Sequence, residues 1–303
     1  MTACPVCGNI STKDIARFRS NSPIFSACSR ATCSFCDMVY ATPMPPDSAL
    51  SEYNARYFSA AHAGKPSSPL ALAFFSGIAR LRLAFVKRFL DRHQIAVNQV
   101  LEFGPGLGFF AKSWKELYPS SIYSVVETDS SCHKSLQAFG AQIVDASNIG
   151  PSDLVVMSHV LEHVPDPVGF LHTATHGLRQ GGAIFIEVPC QDWKHKVLDE
   201  PHVLFFEKKA MQLLLARLGF DDIEVSYYGQ SIRSLCSRSW LHNKLMAIRG
   251  KLISLGIISP FSKMVAGLEP LICPMERAMV KPFLAHQESD EPTWWLRVVA
   301  RKL

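Results

Sequence analysis

The sequence has few features that would place the protein in a membrane, in a secretory pathway or on nucleic acid. An apolar run at Leu70–Ala79 is broken by Arg80 and Arg82, and no apolar stretch reaches the length that spans a bilayer. The N-terminus carries Cys4 and Cys7 where a signal peptide would have an apolar run. The net charge of +5 is scattered, so no polybasic tract indicates nucleic acid or an anionic membrane surface. These absences predict a cytoplasmic protein without a transmembrane segment.

The chain also lacks internal repeats and low-complexity tracts, and its composition is that of an ordinary globular protein. Hydrophobic residues make up 48% and charged residues 19%, so the 303 residues support one large core with a small appendage. Nine cysteines are present. In a cytoplasmic protein they indicate metal ligands or free thiols rather than disulfides.

Five of the nine cysteines lie in the stretch that ends at Cys36, and four of these form two C-x-x-C pairs. Two such pairs provide the four thiolates of a closed tetrahedral zinc site, with these ligands: Cys4, Cys7, Cys33 and Cys36. Cys28 is a spare thiol that is able to replace Cys33. A redox C-x-x-C is the weaker interpretation, because the pairs are doubled and precede any βαβ unit. We therefore predict a structural, zinc-ribbon-like segment over residues 1–45.

A short predicted strand that ends in Glu102 and Phe103 runs into a glycine-rich loop and then into a helix over roughly 109–118. The loop has glycines at alternate positions: Gly104, Gly106 and Gly108. Glycine lets the backbone bend sharply and approach a ligand closely, so this unit is a nucleotide-cofactor site in outline. A dinucleotide fingerprint needs a glycine where Phe109 stands, and a P-loop needs a Gly-Lys-Ser/Thr that is missing. The pattern E-x-G-x-G-x-G instead suits S-adenosylmethionine, which carries no phosphate.

This stretch resembles the class I S-adenosylmethionine-dependent methyltransferases. The order of C-P-x-C-G, C-x-x-C, an aromatic-Pro link and paired tyrosines is similar to a subgroup with an N-terminal zinc-binding segment, which includes sugar C-methyltransferases. The resemblance covers roughly residues 1–228 and 293–301. It implies an α/β fold with a Rossmann-like, seven-stranded, mostly parallel sheet and an antiparallel last strand. Residues 46–95 are then a helical linker or cofactor lid, and residues 96–303 a methyltransferase domain with a helical insertion at about 229–290.

The resemblance also implies which residues bind the cofactor. Glu102 and the glycine loop would supply the groups that hold its amino acid and its ribose, and His159 would lie nearest its methionine end. Asp145 and Ala146 follow the predicted third strand, where the family grips the adenine. A carboxylate there accepts a hydrogen bond from the adenine amine.

Two further positions belong to the same predicted site. Glu127 ends the predicted second strand, where an acidic residue accepts hydrogen bonds from both ribose hydroxyls. Asp129 is the alternative for this role, or else it caps the next helix. Tyr57 would fold over the cofactor as it does in the subgroup. Its i, i+4 spacing from Tyr53 equally predicts a stripe that faces the core.

Catalytic candidates lie after the predicted fourth and fifth strands. The stretch H-V-L-E-H-V-x-D-P closely matches the family and contains Glu162 and His163. In sugar C-methyltransferases that resemble this chain, a Glu-His pair here is the catalytic dyad, assisted by a tyrosine where this chain has Val160. His202 is the second candidate base. His163 alternatively has a structural role, in which it bonds the following loop.

Two helical regions complete the expectations. A predicted helix at Leu70–Arg92 has an apolar stripe and several basic residues, which we interpret as a solvated face. The insertion at about 229–290 would form a substrate lid, a dimer surface that allows a homodimer, or a membrane-surface element. The lid is the preferred interpretation, because this edge of the sheet borders the predicted site.

Three functional hypotheses follow from these patterns. The first is methyl transfer from S-adenosylmethionine to a small-molecule acceptor such as a sugar, a nucleotide-sugar or a secondary metabolite. The second is an RNA- or tRNA-modifying methyltransferase that binds through its zinc ribbon. That ribbon has few basic residues, which disfavours this hypothesis: Lys13, Arg17, Arg19 and Arg30. The third is a non-catalytic protein that binds the same cofactor, which the intact glycine loop and Glu-His pair disfavour.

Overall fold

A computed structural model of the chain describes residues 3–61, 69–236, 240–255 and 288–303. Residues 62–68 and most of the predicted insertion lie outside the described residues. The helices are α1 (Asp47–Ala61), α2 (Pro69–Arg92), α3 (Phe109–Leu117), α4 (His133–Ala138), α5 (Pro167–Ala174), α6 (Lys208–Arg217), α7 (Ile232–Cys236) and α8 (Trp240–Ser254). The strands are β1 (Thr12–Arg17), β2 (Ser29–Cys33), β3 (Val39–Thr42), β4 (Gln99–Phe103), β5 (Ile122–Val126), β6 (Gln142–Ile143), β7 (Ser152–Ser158), β8 (Leu178–Pro189), β9 (Leu204–Phe205), β10 (Phe220–Ser231), β11 (Glu288–Ser289) and β12 (Thr293–Lys302).

Eight strands form the central sheet, in the order β11–β10–β12–β8–β7–β4–β5–β6. Strands β4 to β8 run parallel, while β12 lies antiparallel between β8 and β10. The predicted mostly parallel sheet with an antiparallel last strand is confirmed, and β11 adds a two-residue strand at its edge. Residues Leu154–Met157 of β7 are fully buried, as expected for a parallel sheet that is covered on both faces.

Helices pack on both faces of this sheet. On one face, Phe89 of α2 and Trp114 of α3 join a core with Val125 of β5. On the other face, Leu171 of α5 and Leu214 of α6 belong to a second core. Because these cores hold β4 to β8 in register, the carboxyl ends of the parallel strands meet at one edge, where open α/β sheets bind ligands.

The cysteine-bearing segment forms a second sheet, which is antiparallel and has the order β1–β2–β3–β9. Its last strand, β9, comes from the long loop after β8. Leu204 of β9 pairs with Tyr40 of β3, and the Ala41 N–H donates a 2.8 Å hydrogen bond to Val203 O. Buried Met38 and Tyr40 join the core that contains α6. The segment is therefore packed on the larger sheet through a shared strand and a shared core.

Helix α2 departs from the sequence expectation on its basic side. Its Arg82 Nε donates to Glu187 Oε1 of β8 at 2.8 Å, and the Arg82 side chain is only 16% exposed. Arg88 donates to the Tyr228 hydroxyl at 2.9 Å. The interpretation of this side as a solvated face is wrong for Arg82, because a buried carboxylate of the sheet faces the helix there.

Within the described part of the predicted insertion, α7 and α8 are helical, whereas residues 229–231 complete β10 and residues 288–289 form β11. Trp240, Leu241 and Ile248 of α8 are exposed. Among the helices in the described ranges, none combines the length and the apolar character that crossing a membrane requires.

Candidate cofactor and catalytic site

The glycine loop joins the carboxyl end of β4 to the start of α3. Gly104 and Gly108 have φ angles of 59° and 77°, a left-handed conformation that strains any residue with a Cβ. Space is also closed at both positions. A Cβ on Gly104 would lie 2.7 Å from Val160 Cγ2, and one on Gly108 would lie 2.7 Å from Leu136 Cδ2. The loop is thus a turn of bare backbone, which is the surface that a closely approaching cofactor needs.

Glu127 follows β5 and reaches across to this loop. Its Oε2 accepts a 2.9 Å hydrogen bond from Gly106 N–H, and its Oε1 accepts one of 2.8 Å from Asp129 N–H. Each carboxylate oxygen has a second lone pair, so Glu127 is still able to accept hydrogen bonds from a ribose. Asp129, the alternative candidate, instead accepts from Ser131 N–H at 2.9 Å and caps the short helix that follows.

Glu102 lies behind the glycine loop rather than on its open side. It is 2% exposed and accepts a 2.7 Å hydrogen bond from the Tyr123 hydroxyl. Burial raises the pKa of Glu102 to about 7, and the bond from Tyr123 only partly opposes this shift. The structure therefore places Glu102 as a buried support of the loop, and a direct contact with the cofactor stays a prediction.

The predicted adenine-binding residues lie at the same edge of the sheet. Asp145 and Ala146 are exposed and follow β6, which is held beside β5 by a 2.9 Å hydrogen bond from Val144 N–H to Val125 O. Ser147 donates to Asp145 Oδ1 from its backbone and its hydroxyl, and these bonds lower the pKa of Asp145. Tyr57 belongs to α1, but its side chain lies outside the described residues.

His159 joins two buried carboxylates at the end of β7. Its Nδ1 lies 3.2 Å from Glu162 Oε1, and its Nε2 lies 3.2 Å from Glu187 Oε1. Its own backbone is left-handed, with φ of 58°, and its N–H donates to Glu187 O at 2.8 Å. Burial alone would lower the pKa of His159, but the hydrogen bonds to Glu162 and Glu187 outweigh it and raise that pKa. The two carboxylates therefore stabilise the protonated form of His159.

Glu187 is the centre of a charge network that sequence reasoning had not identified. The Arg297 Nε donates to Glu187 Oε2 at 2.6 Å, and Arg82 donates to Glu187 Oε1. Burial would raise the pKa of Glu187, but the charges of Arg82 and Arg297 hold it well below its usual value. The carboxylate is thus ionised and fixes the end of β8 between α2 and β12.

The two predicted histidine bases meet in the structure. The rings of His163 and His202 lie edge to face, with centroids 5.0 Å apart. His202 Nδ1 lies 2.6 Å from Asp192 Oδ2, so Asp192 orients this ring. Burial lowers the pKa of His163 to about 4, although the charge of Glu162 opposes that shift. His163 is therefore neutral at neutral pH, and its Nε2 is 4.0 Å from Glu162 Oε1, beyond a hydrogen bond.

Glu162 provides an acceptor beside these rings. Its side chain is 1% exposed, and its Oε2 accepts no hydrogen bond from any described residue. Burial would raise the pKa of Glu162, but the hydrogen bond with His159 and the charge of that ring lower it. One ligand atom each from Glu162, His163 and His202 lies within 4.8 Å of the others. A buried ionised oxygen without a donor is a suitable place for a hydroxyl or amine of a bound molecule.

Residues 75–225 match the sequence profile of a family described as a methyltransferase domain. The matched range begins in α2, contains the glycine loop, Glu127 and the His159–His163 stretch, and ends in β10. The chain belongs to the class I S-adenosylmethionine-dependent methyltransferases. A search among curated proteins found no match.

Solved methyltransferases show loose structural similarity to the chain. A protein from Thermotoga maritima, described as a possible histamine N-methyltransferase, is 14% identical with a TM-score of 0.43, covering 76% of this chain and 100% of that one. A methyltransferase from Archaeoglobus fulgidus is 16% identical with a TM-score of 0.43 over 72% and 94%. The plantazolicin methyltransferase BpumL, in complex with SAH, is 13% identical with a TM-score of 0.46 over 84% and 95%. Similarity at this level assigns neither an acceptor nor a catalytic residue.

In this methyltransferase the four predicted zinc ligands converge: Cys4, Cys7, Cys33 and Cys36. The Sγ atoms of Cys4 and Cys36 are 3.6 Å apart, and those of Cys7 and Cys33 are 3.5 Å apart. Zinc–sulfur bonds of about 2.3 Å in a tetrahedron place sulfurs about 3.8 Å apart, so the donor set fits zinc. Cys28 lies elsewhere and donates to Pro43 O at 3.2 Å, so it does not replace Cys33.

Sequence reasoning missed Asp192, Glu187 and Arg297 as parts of the site. Asp192 follows β8 by three residues, and its polar pairing with His202 depends on the path of the intervening loop. The clearest available signal was Glu187 itself, because a carboxylate inside a buried strand needs a cation nearby. Arg297 is a cation within the apolar strand β12, so the same argument predicts a buried anion close to it.

Proposed function

We propose that the methyltransferase transfers the methyl group of S-adenosylmethionine to a small-molecule acceptor, with His202 as the general base. The observation that carries the base assignment is the 2.6 Å contact between His202 Nδ1 and Asp192 Oδ2. A base that is oriented by a carboxylate is a recurring catalytic arrangement.

The cofactor would lie over the glycine loop at the carboxyl edge of β4, β5 and β6. The fit rests on the left-handed Gly104 and Gly108, where a Cβ would fill the cradle, and on Glu127, whose lone pairs face the loop. Asp145 and Ala146 would border the adenine, and Glu102, Gly106, His159 and Tyr57 complete the proposed set. When bound, the sulfonium supplies an electrophilic methyl group and leaves as a neutral thioether.

Proton removal from the acceptor is then the task of the chain's own residues. Burial would raise the pKa of Asp192, but the hydrogen bond from His202 and the charge of Lys196 lower it well below its usual value. Ionised Asp192 accepts the Nδ1 proton of His202, which leaves the Nε2 lone pair to take a proton from the acceptor. Burial lowers the pKa of His163, and its Nε2 lies 4.0 Å from Glu162 Oε1, so we assign it a role in packing and orienting His202.

Glu162 would position the acceptor for this step. Its ionised, buried Oε2 is able to accept a hydrogen bond from a second polar group of the acceptor. Holding two reactants in line supplies much of the rate enhancement of a displacement, because their relative motion is already restricted.

We also infer that the cysteine cluster binds zinc as a structural ion, as in the subgroup with an N-terminal zinc-binding segment. Four thiolates close the tetrahedral shell and leave no position for a substrate. The sheet that the cluster supports includes β9, which directly follows His202 and Val203.

Thermal shift with S-adenosylhomocysteine, NAD and RNA tests the proposed function. We expect S-adenosylhomocysteine alone to stabilise the protein, and Glu127→Gln to weaken that effect because the ribose loses an ionised acceptor. Glu116→Gln on the exposed face of α3 is the matched control. Stabilisation by NAD and not by S-adenosylhomocysteine would refute the proposal.

A further inference from the structure

A cavity of about 490 Å³ lies between the cysteine-bearing segment and the loop after β8. Three arginines line it together with a polar amide and an indole: Arg17, Arg19, Arg30, Asn21 and Trp193. This volume is within the range of small-molecule sites. Neither the proposed cofactor site nor the proposed base accounts for a cluster of three guanidinium groups here.

The three arginines differ in how many donors they have left. Arg19 donates to Asp199 Oδ1, to Lys196 O at 2.8 Å and to Trp193 O at 2.5 Å, so its guanidinium is committed to the protein. Arg30 donates to Asp199 Oδ2 at 2.9 Å from a single nitrogen and keeps most of its donors.

Arg17 is exposed at the end of β1 and makes no side-chain ion pair within the described ranges. Two guanidinium groups, those of Arg17 and Arg30, are therefore available to a ligand.

The charge balance of the cavity is positive. Asp199 is fully buried and is shared by Arg19 and Arg30. Glu200 is turned towards a neighbouring backbone turn, where it accepts from the N–H groups of Asn21 and Ser22 at 3.1 Å each. Three arginines against two carboxylates leave one uncompensated positive charge, which lies on the side of Arg17.

The cavity adjoins the proposed catalytic pair. Trp193 follows Asp192, the partner of His202, in the chain. The Trp193 ring packs on Phe205 with centroids 5.4 Å apart, and Phe205 lies 6.4 Å from the His202 ring. These contacts place the Trp193 ring at most about 12 Å from the His202 ring, which is the span that an acceptor with one end in the cavity and its reacting atom at the base would cover.

We propose that this cavity binds a phosphoryl group of the acceptor, through Arg17, Arg30 and the Asn21 amide. A guanidinium group donates two parallel hydrogen bonds to a pair of phosphate oxygens. Two guanidinium groups and an amide together offer more hydrogen-bond donors than one carboxylate is able to accept. The proposal rests on the proposed methyl transfer and narrows its acceptor to a phosphorylated small molecule. A nucleic acid would need a stripe of basic residues, whereas Asp199 and Glu200 bound this site on one side.

Isothermal titration calorimetry of the full chain tests the site with pyrophosphate and with ribose 5-phosphate, and ribose is the uncharged comparison. We expect saturable binding of both anions and none of ribose. Arg17→Gln and Arg30→Gln should each weaken binding roughly tenfold or more, as the loss of a charge-assisted hydrogen bond predicts. Lys13→Gln removes the same charge from the same strand outside the cavity and should leave the affinity unchanged.

Two further variants distinguish the loss of a binding site from a folding defect. Arg30→Lys keeps a positive charge beside Asp199, and Asn21→Ala removes no ion pair. Each should weaken pyrophosphate binding without lowering the Tm. Absent anion binding, or equal losses in Arg17→Gln and Lys13→Gln, would overturn the site. Tighter binding of an RNA oligonucleotide, with a steep salt dependence, would overturn it too. S-adenosylhomocysteine is titrated in parallel: if it binds and pyrophosphate does not, only the site fails, whereas the reverse refutes the proposed function.

Discussion

Asp192 illustrates how one residue determines the chemistry of its neighbour. A histidine side chain has two nitrogens, and the group bonded to one of them decides which is free to act. In this methyltransferase the carboxylate lies 2.6 Å from His202 Nδ1. The geometry therefore distinguishes His202 from His163, which the sequence pattern had ranked first.

Replacing either member of this pair should slow methyl transfer and spare cofactor binding. We expect His202→Gln to reduce the turnover rate by about 10²–10⁴-fold, the usual contribution of a general base. Asp192→Asn should also be slow, because it no longer holds the Nδ1 proton in place. The exposed His172→Gln on α5 is the control. Methyl transfer and S-adenosylhomocysteine affinity are measured together, and full activity in both pair variants would remove His202 from the mechanism.

Glycine at position 108 is required for two separable reasons, and substitution distinguishes them. Gly108→Ala should destabilise the fold by more than the ~1–3 kcal/mol of a strained backbone, because its Cβ also meets Leu136. Gly181→Ala is the control, since Gly181 has φ of 71° but no atom within 4 Å of the added carbon. Urea unfolding and S-adenosylhomocysteine titration should show a larger stability loss and weaker binding only for Gly108→Ala. Equal losses of stability in Gly108→Ala and Gly181→Ala would show that the contact of the added carbon with Leu136 has no effect.

Glu102 should make the protein less stable as the pH rises through weakly acidic values. Its pKa is about 7 in the folded chain against an ordinary 4.5, so between these values the folded state binds more protons than the unfolded state. The free energy of unfolding then falls with pH, by at most about 1.4 kcal/mol per unit. Glu102→Gln should flatten this slope, and Glu116→Gln on the exposed face of α3 should not. Identical pH profiles for wild type and Glu102→Gln would contradict the assignment.

Helix α2 is attached to the sheet by ion pairs as well as by its apolar stripe. Arg82 reaches a carboxylate inside β8, and Arg297 reaches the same carboxylate from β12. The side of α2 that the sequence predicts to be solvated therefore connects α2, β8 and β12 through Glu187.

Removing the arginine from this contact should cost far more than removing an exposed one. Arg82→Met leaves Glu187 with less compensation in a buried place, and breaking such a pair costs about 3 kcal/mol or more. Arg92→Met, on the same helix, removes only an exposed ion pair with Glu224 and should change the Tm little. Chemical denaturation compares the two. Similar stability of both variants would show that the buried carboxylate does not depend on α2.

Across the whole molecule, the cysteine-bearing segment and the proposed catalytic loop form one unit. Val203 N–H donates to Glu162 O at 2.9 Å, while Val203 O accepts from Ala41 N–H. One residue thus connects β3 of the cysteine segment to the stretch that carries Glu162 and His163. The loop that carries His202 is held on its other side by Arg19 and Arg30 through buried Asp199.

Zinc removal should consequently loosen the proposed active site and not only the N-terminus. We expect one zinc ion per chain by elemental analysis, and its loss in Cys4→Ser with a lowered Tm. Hydrogen exchange of the Val203 amide should speed up in the metal-free protein. Cys28→Ser should keep the metal, since a serine hydroxyl is also able to donate to Pro43 O. A zinc-free wild type with unchanged exchange at Val203 would refute this coupling.

Local pattern was sufficient for most of the fold and for bringing the glycine loop and Glu127 together. Alternating buried strands and helices predict the parallel sheet, and the spacing of Cys4, Cys7, Cys33 and Cys36 predicts their convergence because each pair is already a tight turn. Similarly, the glycine loop and Glu127 lie at successive strand ends, which one sheet edge brings together. These features follow from short-range geometry, which the order of residues contains.

Only the tertiary structure decided which distant charges meet. Nothing local pairs Arg82 with Glu187, places Asp192 on His202 or turns β9 into the fourth strand of the cysteine-bearing sheet. Such contacts depend on how helices and loops pack over a completed sheet. A buried charge then takes the partner that lies within reach, and its energy is set by burial and distance, which the linear sequence does not contain.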